Sequence, residues 1–228
     1  VSIFFAALFG AIKIKSLQQK EDFYWLYSLF LVIVTSFGGG ITAPILIGRP
    51  PIIMVNDFIL FSCIIAWYLT HYMGLQRFFT WAPIQLIVVF FAMIFKTHAI
   101  TNTIIMAHNA IPTSPYYPIS LTGPIVAGVV NGMMGTFYPF DKGLTPIKNG
   151  TPWVIQGAII SSIFFHIIIH DKTGPLGTTL REYIGEYSIA DARIIIATLW
   201  ITCQSLQSLF GPTINPLQPI YTILYFIF

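Results

Sequence analysis

The chain has 228 residues, of which 56% are hydrophobic and only 8% charged, and its formal net charge is +3. A water-facing domain of this size carries about a quarter charged residues, so a soluble globular fold is excluded. The positive charge is also too small and too scattered for a nucleic-acid partner.

Unpaired backbone groups cannot face lipid, which leaves helices or a closed barrel as spanning elements. Barrel strands alternate polar and apolar residues, whereas Ile84–Phe95 and Ile194–Trp200 show no such alternation. The expected class is therefore an all-α membrane protein, a single transmembrane domain over residues 1–228 with no soluble domain boundary. The opening run Val1–Ile14 is shorter than one span and is expected to be the end of a truncated first helix. A polar connection holding Lys13, Lys15, Lys20, Glu21 and Asp22 follows it. The second span is expected at Phe23–Ile47, interrupted by Gly38, Gly39 and Gly40 and ended by Arg49-Pro50-Pro51. The third covers Ile52–Tyr72, the fourth Ala82–Ala107, the fifth Ile119–Tyr138 and the sixth Trp153–Ile169. A polar stretch, Asp171–Glu186, precedes a seventh span at Ile189–Phe210. The apolar tail over residues 212–228 holds three prolines and reads as interfacial or packed along the bundle. Lysine and arginine are mildly enriched after spans one, three and five, which places the amino terminus outside the cytosol. Cys63 and Cys203 lie in apolar runs and say nothing about redox compartment.

Two helices carry glycine clusters. Each of Gly38, Gly39 and Gly40 costs roughly 1 kcal/mol of helix propensity, and the ring of Pro44 opposes the carbonyl of Gly40 four residues earlier. The fifth span carries Gly123, Gly128, Gly132 and Gly135, and Pro139 again follows the last glycine by four. The two clusters lie three spans apart, in the second and fifth, so their helices run in opposite directions. Interrupted helices in two halves of opposite topology point to a substrate or ion path, where freed carbonyls replace part of an ion's hydration shell. Close helix packing of the small-xxx-small kind fits Gly128 and Gly132 equally well.

Lys96 is the one lysine or arginine expected well inside a span, roughly 16 Å from the nearer helix end at 1.5 Å per residue. An ionisable group so deep faces a bundle interior or an aqueous cavity; a lysine near an interface would instead bind lipid headgroups. Thr103 falls on nearly the same face, while Thr97, Thr101 and His108 form a second polar stripe. His98, His166 and His170 read as hydrogen-bonded bundle or interface residues, and no metal site is expected. Asp171-Lys172-Thr173-Gly174 has the form of a P-type ATPase phosphorylation motif, but the chain has no room for the domains such a pump needs. Asn149-Gly150-Thr151 fits a glycosylation acceptor, in a loop that the charge bias assigns to the cytosol. No Gly-x-Ser-x-Gly signature, P-loop or nucleophile with a paired base emerges, so an enzyme is not expected.

The stretch SFGGGITAPILIGRPP, Ser36 to Pro51, resembles the second-helix signature of the trimeric intracellular cation (TRIC) channels. AWYLTHY (Ala66–Tyr72), KTHAITNTIIMAHNA (Lys96–Ala110), Tyr117-Pro118 and the glycine-rich GVVNGMMGTF (Gly128–Phe137) follow in family order. The resemblance implies a homotrimer in the endoplasmic or sarcoplasmic reticulum membrane, with seven spans and a monovalent-cation pore in each subunit. It further implies two inverted three-helix repeats, about residues 1–74 and 80–170, before a seventh helix at about 189–210. Kinked second and fifth helices would line the path, here through Gly38, Gly39, Gly40, Pro44, Gly128, Gly132, Gly135 and Pro139. Lys96 matches a family lysine that engages phosphoinositide headgroups near the pore; beyond that lipid no cofactor is implied. The chain departs from the pattern at Ile100, Asn131 and Trp153, where an arginine, a lysine and a lysine are usual, and so resembles a divergent member. Lys96, Thr103 and Asn131 are the candidate gating or headgroup residues.

Three functions follow as expectations. The first is a potassium-preferring cation channel supplying counter-ion flow for calcium release. The second is a small-solute secondary transporter with a midplane site at the same glycines. The third is a non-conducting structural membrane protein.

Overall fold

A computed structural model describes residues 1–18, 23–113, 115–137, 143–148, 150–211 and 214–219. Its described residues form eleven α-helices in chain order. They are α1 (Ser2–Gln18), α2 (Trp25–Leu46), α3 (Ile52–Val55), α4 (Asp57–His71), α5 (Gln76–Phe79) and α6 (Ala82–Ala110). After these come α7 (Thr122–Met133), α8 (Thr145–Lys148), α9 (Trp153–His170), α10 (Pro175–Ile184) and α11 (Ile189–Phe210). The protein is an all-α, multi-pass membrane protein. Among the described helices, α2, α6, α9 and α11 are each long and apolar enough to cross a bilayer.

The other expected spans are shorter or divided. The third splits into α3 and α4 because the Asn56 side chain accepts the Phe58 amide at 3.1 Å and caps α4. The fifth is a 12-residue α7 that tightens into a 3-10 turn over Met134–Thr136, around Gly135. The first is longer than expected: α1 continues through Lys13 to Gln18. Lysine, isoleucine, leucine and glutamine are adequate helix formers, so the two charges do not stop it. The polar stretch before α11 also folds, as the amphipathic α10. Of the tail, residues 214–219 are described, and Leu217 is buried against α6, α9 and α11.

One apolar core joins α1, α2 and α4, with Leu8, Ile14, Val32, Ile59 and Cys63 buried in it. Trp67 pins α4 to α2 by donating from its indole to Ser28 Oγ at 2.8 Å. The second core joins α6, α9 and α11 around Ile100, Ile104, Phe165, Ile196 and Trp200. Here Trp200 donates to Ser161 Oγ at 3.0 Å and Trp153 donates to Gln207 Oε1 at 3.0 Å, fastening α9 to α11. Contacts of α1 with α6 and of α2 with α7 connect the two groups.

Glycines set the distance between α2 and α7. A Cβ on Gly39 would lie 1.8 Å from the carbonyl oxygen of Asn131, and one on Gly135 would lie 2.6 Å from the carbonyl oxygen of Thr35. Gly39 thus meets Asn131 while the earlier Thr35 meets the later Gly135, so the two helices cross antiparallel, as expected. The expected interruption of α2 is not present. It runs through Gly38, Gly39, Gly40 and Pro44 as one helix. Tertiary packing on both sides outweighs the propensity cost of the glycines, and Thr42 Oγ1 donates to the Gly38 carbonyl at 2.8 Å.

Candidate functional site

A cavity of about 490 Å³ lies between α1, α2, α6, α7 and the end of α11. From α1 come Lys13 and Ser16, and from α2 come Thr35, Ser36, Gly39 and Gly40. The α6 wall runs from Gln85 to Ala99 and includes Lys96, while Asn131, Gly132 and Gly135 line the α7 side. Gln204, Gln207 and Ser208 close the α11 side. The lining therefore uses the amino-terminal part of α6 with the carboxyl-terminal parts of α1, α7 and α11. With α6 antiparallel to the others, those parts meet at one face of the bundle, and the cavity is a vestibule that reaches inward from it.

At its inner end the described helices close together. Asn131 Nδ2 donates to Thr103 Oγ1 at 2.6 Å and to the Ala99 carbonyl at 3.3 Å, locking α7 to α6. The backbone of Asn131 touches Gly39 on the other side. Beyond that point Gly128 fits against Ile104 and Ser162, with contacts of 2.6 Å to a built Cβ, and leaves no room for even a methyl group. Among the described residues, these contacts pack α7 tightly against α2, α6 and α9 beside the cavity.

Lys96 sits at the centre of α6, fourteen residues from Ala82 and fourteen from Ala110. Its Nζ lies 4.4 Å from the ring centroid of Trp200, a cation–π contact that draws the ammonium toward α11. Lys13 lines the same cavity. The Thr97–Thr101 side of α6 also faces α11, where the Arg193 guanidinium donates to Thr101 Oγ1 at 3.0 Å and to Asn102 Oδ1.

Solved structures share the fold. A TRIC counter-ion channel studied for its activity in calcium release superposes with a TM-score of 0.66 at 18% identity, covering 92% of this chain and 95% of its own. A trimeric intracellular cation channel from C. elegans without Ca²⁺ gives 0.66 at 18% identity, covering 94% and 91%. A C. elegans structure with bound Ca²⁺ gives 0.63 at 12% identity, covering 92% and 90%. The chain has the TRIC-channel fold. A family model described as Glycine transporter matches residues 1–74. No curated protein matches.

Within the TRIC fold the expected site residues divide into three groups. Gly39, Gly40, Lys96, Asn131, Gly132 and Gly135 come together around the vestibule. Gly38, Pro44, Thr103 and Gly128 do not line it. Gly38 and Pro44 are buried within α2, Thr103 holds Asn131, and Gly128 is a packing glycine. Pro139 lies outside the described residues. Pro44 still contributes indirectly: having no N–H, it deprives the Gly40 carbonyl of its helical donor at the vestibule wall. Ile100, where the sequence resemblance places an arginine, is fully buried in the second core.

Three participants escape the sequence reading. Lys13 was expected in a loop, because the length of α1 is not visible in an apolar run that stops at Ile14. Trp200 and Arg193 become relevant only because α11 packs on α6. The indole and guanidinium are ordinary helix residues until that packing exists.

The aspartate of the ATPase-like motif has a structural duty. Asp171, fully buried, accepts from Tyr117 Oη at 2.6 Å, from the Gly174 amide at 2.8 Å and from the Gly177 amide at 2.9 Å. Burial and this hydrogen bond raise the Tyr117 phenol above its ordinary pKa. Arg181 donates to the carbonyls of Asp171 and Lys172, satisfying the carboxyl-terminal end of α9.

Proposed function

We propose that the chain is a potassium-preferring monovalent cation channel of an intracellular membrane, seen with its path closed at the α2–α7 crossing. The observation that carries the reading is the cavity walled by Gly39, Gly40, Gly132 and Gly135, at whose wall the Gly39 and Asn131 backbones touch. Separating two helices held by glycine contacts would extend a polar cavity inward. Carbonyls such as that of Gly40 could then replace part of an ion's hydration. Seven spans in two inverted three-helix repeats plus α11 fit the antiparallel crossing of α2 and α7. Further parts of the reading are a homotrimer, an endoplasmic or sarcoplasmic reticulum location, counter-ion flow during calcium release, and a phosphoinositide headgroup at Lys96. They draw support from the likeness to TRIC channels described as trimeric, intracellular and active in calcium release.

The match of residues 1–74 to the glycine transporter model favours a second reading. In it, α2 and α7 flank a midplane site for a small zwitterion, and the vestibule is one of two alternating openings. Planar-bilayer recording in symmetric potassium chloride, paired with glycine uptake into proteoliposomes, separates the two. Steady unitary potassium currents support the channel. Saturable glycine accumulation without unitary steps supports the transporter, and silence in both assays leaves a structural role.

A further inference from the structure

The fold brings three imidazoles together away from the vestibule. His166 and His170 lie one turn apart on α9, and His108 reaches them from the last turn of α6. Ring centroids of His108 and His170 are 4.1 Å apart, those of His166 and His170 are 5.2 Å apart, and those of His108 and His166 are 5.6 Å apart. One ring nitrogen from each lies within 4.8 Å of the other two. The Nδ1 atoms of all three are buried and have no hydrogen-bond partner. His166 is wholly buried, and its Nε2 lies 2.9 Å from the carbonyl of Ser120. A carbonyl only accepts, so Nε2 carries the proton and Nδ1 presents a lone pair.

We propose that His108, His166 and His170 form a binding site for a zinc-class divalent transition-metal ion that fastens α6 to α9. A buried ring nitrogen without a partner is costly; each of the three rings carries one, and one potential ligand nitrogen from each ring lies within 4.8 Å of the others. The hydrogen bond from His166 to Ser120 is the outer-shell support that fixes the tautomer and orientation of metal-bound imidazoles. All-imidazole donors select zinc, cobalt, nickel or copper, and disfavour calcium and magnesium, which require oxygen ligands. The neighbouring carboxylate is unavailable: Asp171 is committed to Tyr117, Gly174 and Gly177. Water therefore completes the shell. Tetrahedral binding at a metal–nitrogen distance of about 2.0–2.1 Å needs nitrogens roughly 3.4 Å apart. The rings reach this by side-chain rotation, since His108 and His170 are only half-buried.

The test is metal binding by the full chain in detergent after chelator treatment, with Co²⁺ as the spectroscopic probe. One Co²⁺ per chain should bind with visible ligand-field bands, be displaced by Zn²⁺, and resist a thousandfold excess of Ca²⁺. H108Q and H170Q should each weaken Co²⁺ binding at least tenfold while leaving size-exclusion behaviour and helicity intact. Absence of the bands in the folded wild-type chain overturns the site whatever the variants do. Bands that persist unchanged in both variants also overturn it. None of the three histidines lines the vestibule, so these outcomes are independent of whether the chain conducts.

Discussion

At Lys96 an ammonium group sits in the middle of a 29-residue helix, over the Trp200 ring and beside a cavity that also holds Lys13. A positive charge roughly 8 Å from a permeating cation costs that ion about 1 kcal/mol at an effective dielectric constant near 40. Lys96→Ala should therefore raise potassium conductance or open probability several-fold in bilayer recordings, whereas Lys96→Arg should not. Unchanged currents from intact assemblies of the alanine variant would remove Lys96 from the path. Asp171 supports a different expectation. Asp171→Ala strands the Tyr117 hydroxyl and the amides of Gly174 and Gly177, and should lower stability by about 2–4 kcal/mol. Thermal unfolding in detergent followed by tryptophan fluorescence measures it; a loss below about 0.5 kcal/mol would refute the structural duty assigned here. Lys96 was legible from the sequence because a charge inside an apolar run has few explanations. Trp200 was not, since cation–π pairing depends on how α11 is set against α6.

Among the elements, α2 shows how far a glycine cluster constrains a helix. The triple glycine does not break α2; it removes side chains where α7 crosses. Gly39→Ala and Gly40→Ala should consequently differ, although both replace a helical glycine with a better helix former. The Gly39 methyl would meet the Asn131 backbone, whereas that of Gly40 meets only the Ile52 side chain, at 2.8 Å, which can rotate away. Gly39→Ala should cost about 2–4 kcal/mol or force α2 and α7 apart with altered gating. Gly40→Ala should stay within about 1 kcal/mol of wild type. Parallel unfolding and conductance measurements on the pair decide this, and equal effects would contradict the crossing geometry. Asn56 explains why the third span divides into α3 and α4, a capping event that hydropathy alone does not reveal.

For the whole molecule, the outer faces of α3 and α4 carry exposed Met54, Val55, Phe58, Phe61 and Ile65, an apolar surface suited to lipid or to neighbouring copies. If the chain assembles as its TRIC-fold relatives are described, native mass spectrometry from mild detergent should show three copies, and a monomer alone would count against that assembly. The charge bias makes a separate topological prediction. Expressed in a reticulum membrane, the Asn149 acceptor should remain unglycosylated, because its loop is assigned to the cytosol. A glycosidase-sensitive mass shift abolished by Asn149→Gln would reverse the orientation.

By itself the sequence determined the membrane class and the placement of α2, α6, α9 and α11, and it marked two helices by their glycine clusters. These follow from the length of apolar runs and from residues whose missing side chain has few other uses, both local properties of the chain. Only the tertiary structure decided which glycines line the vestibule and which merely pack, that Lys13 joins Lys96, and that His108 meets His166 and His170. Each of those depends on the rotation and depth of one helix against another. That setting is fixed by contacts between residues far apart in the chain, such as Gly39 with Asn131 and Trp200 with Ser161.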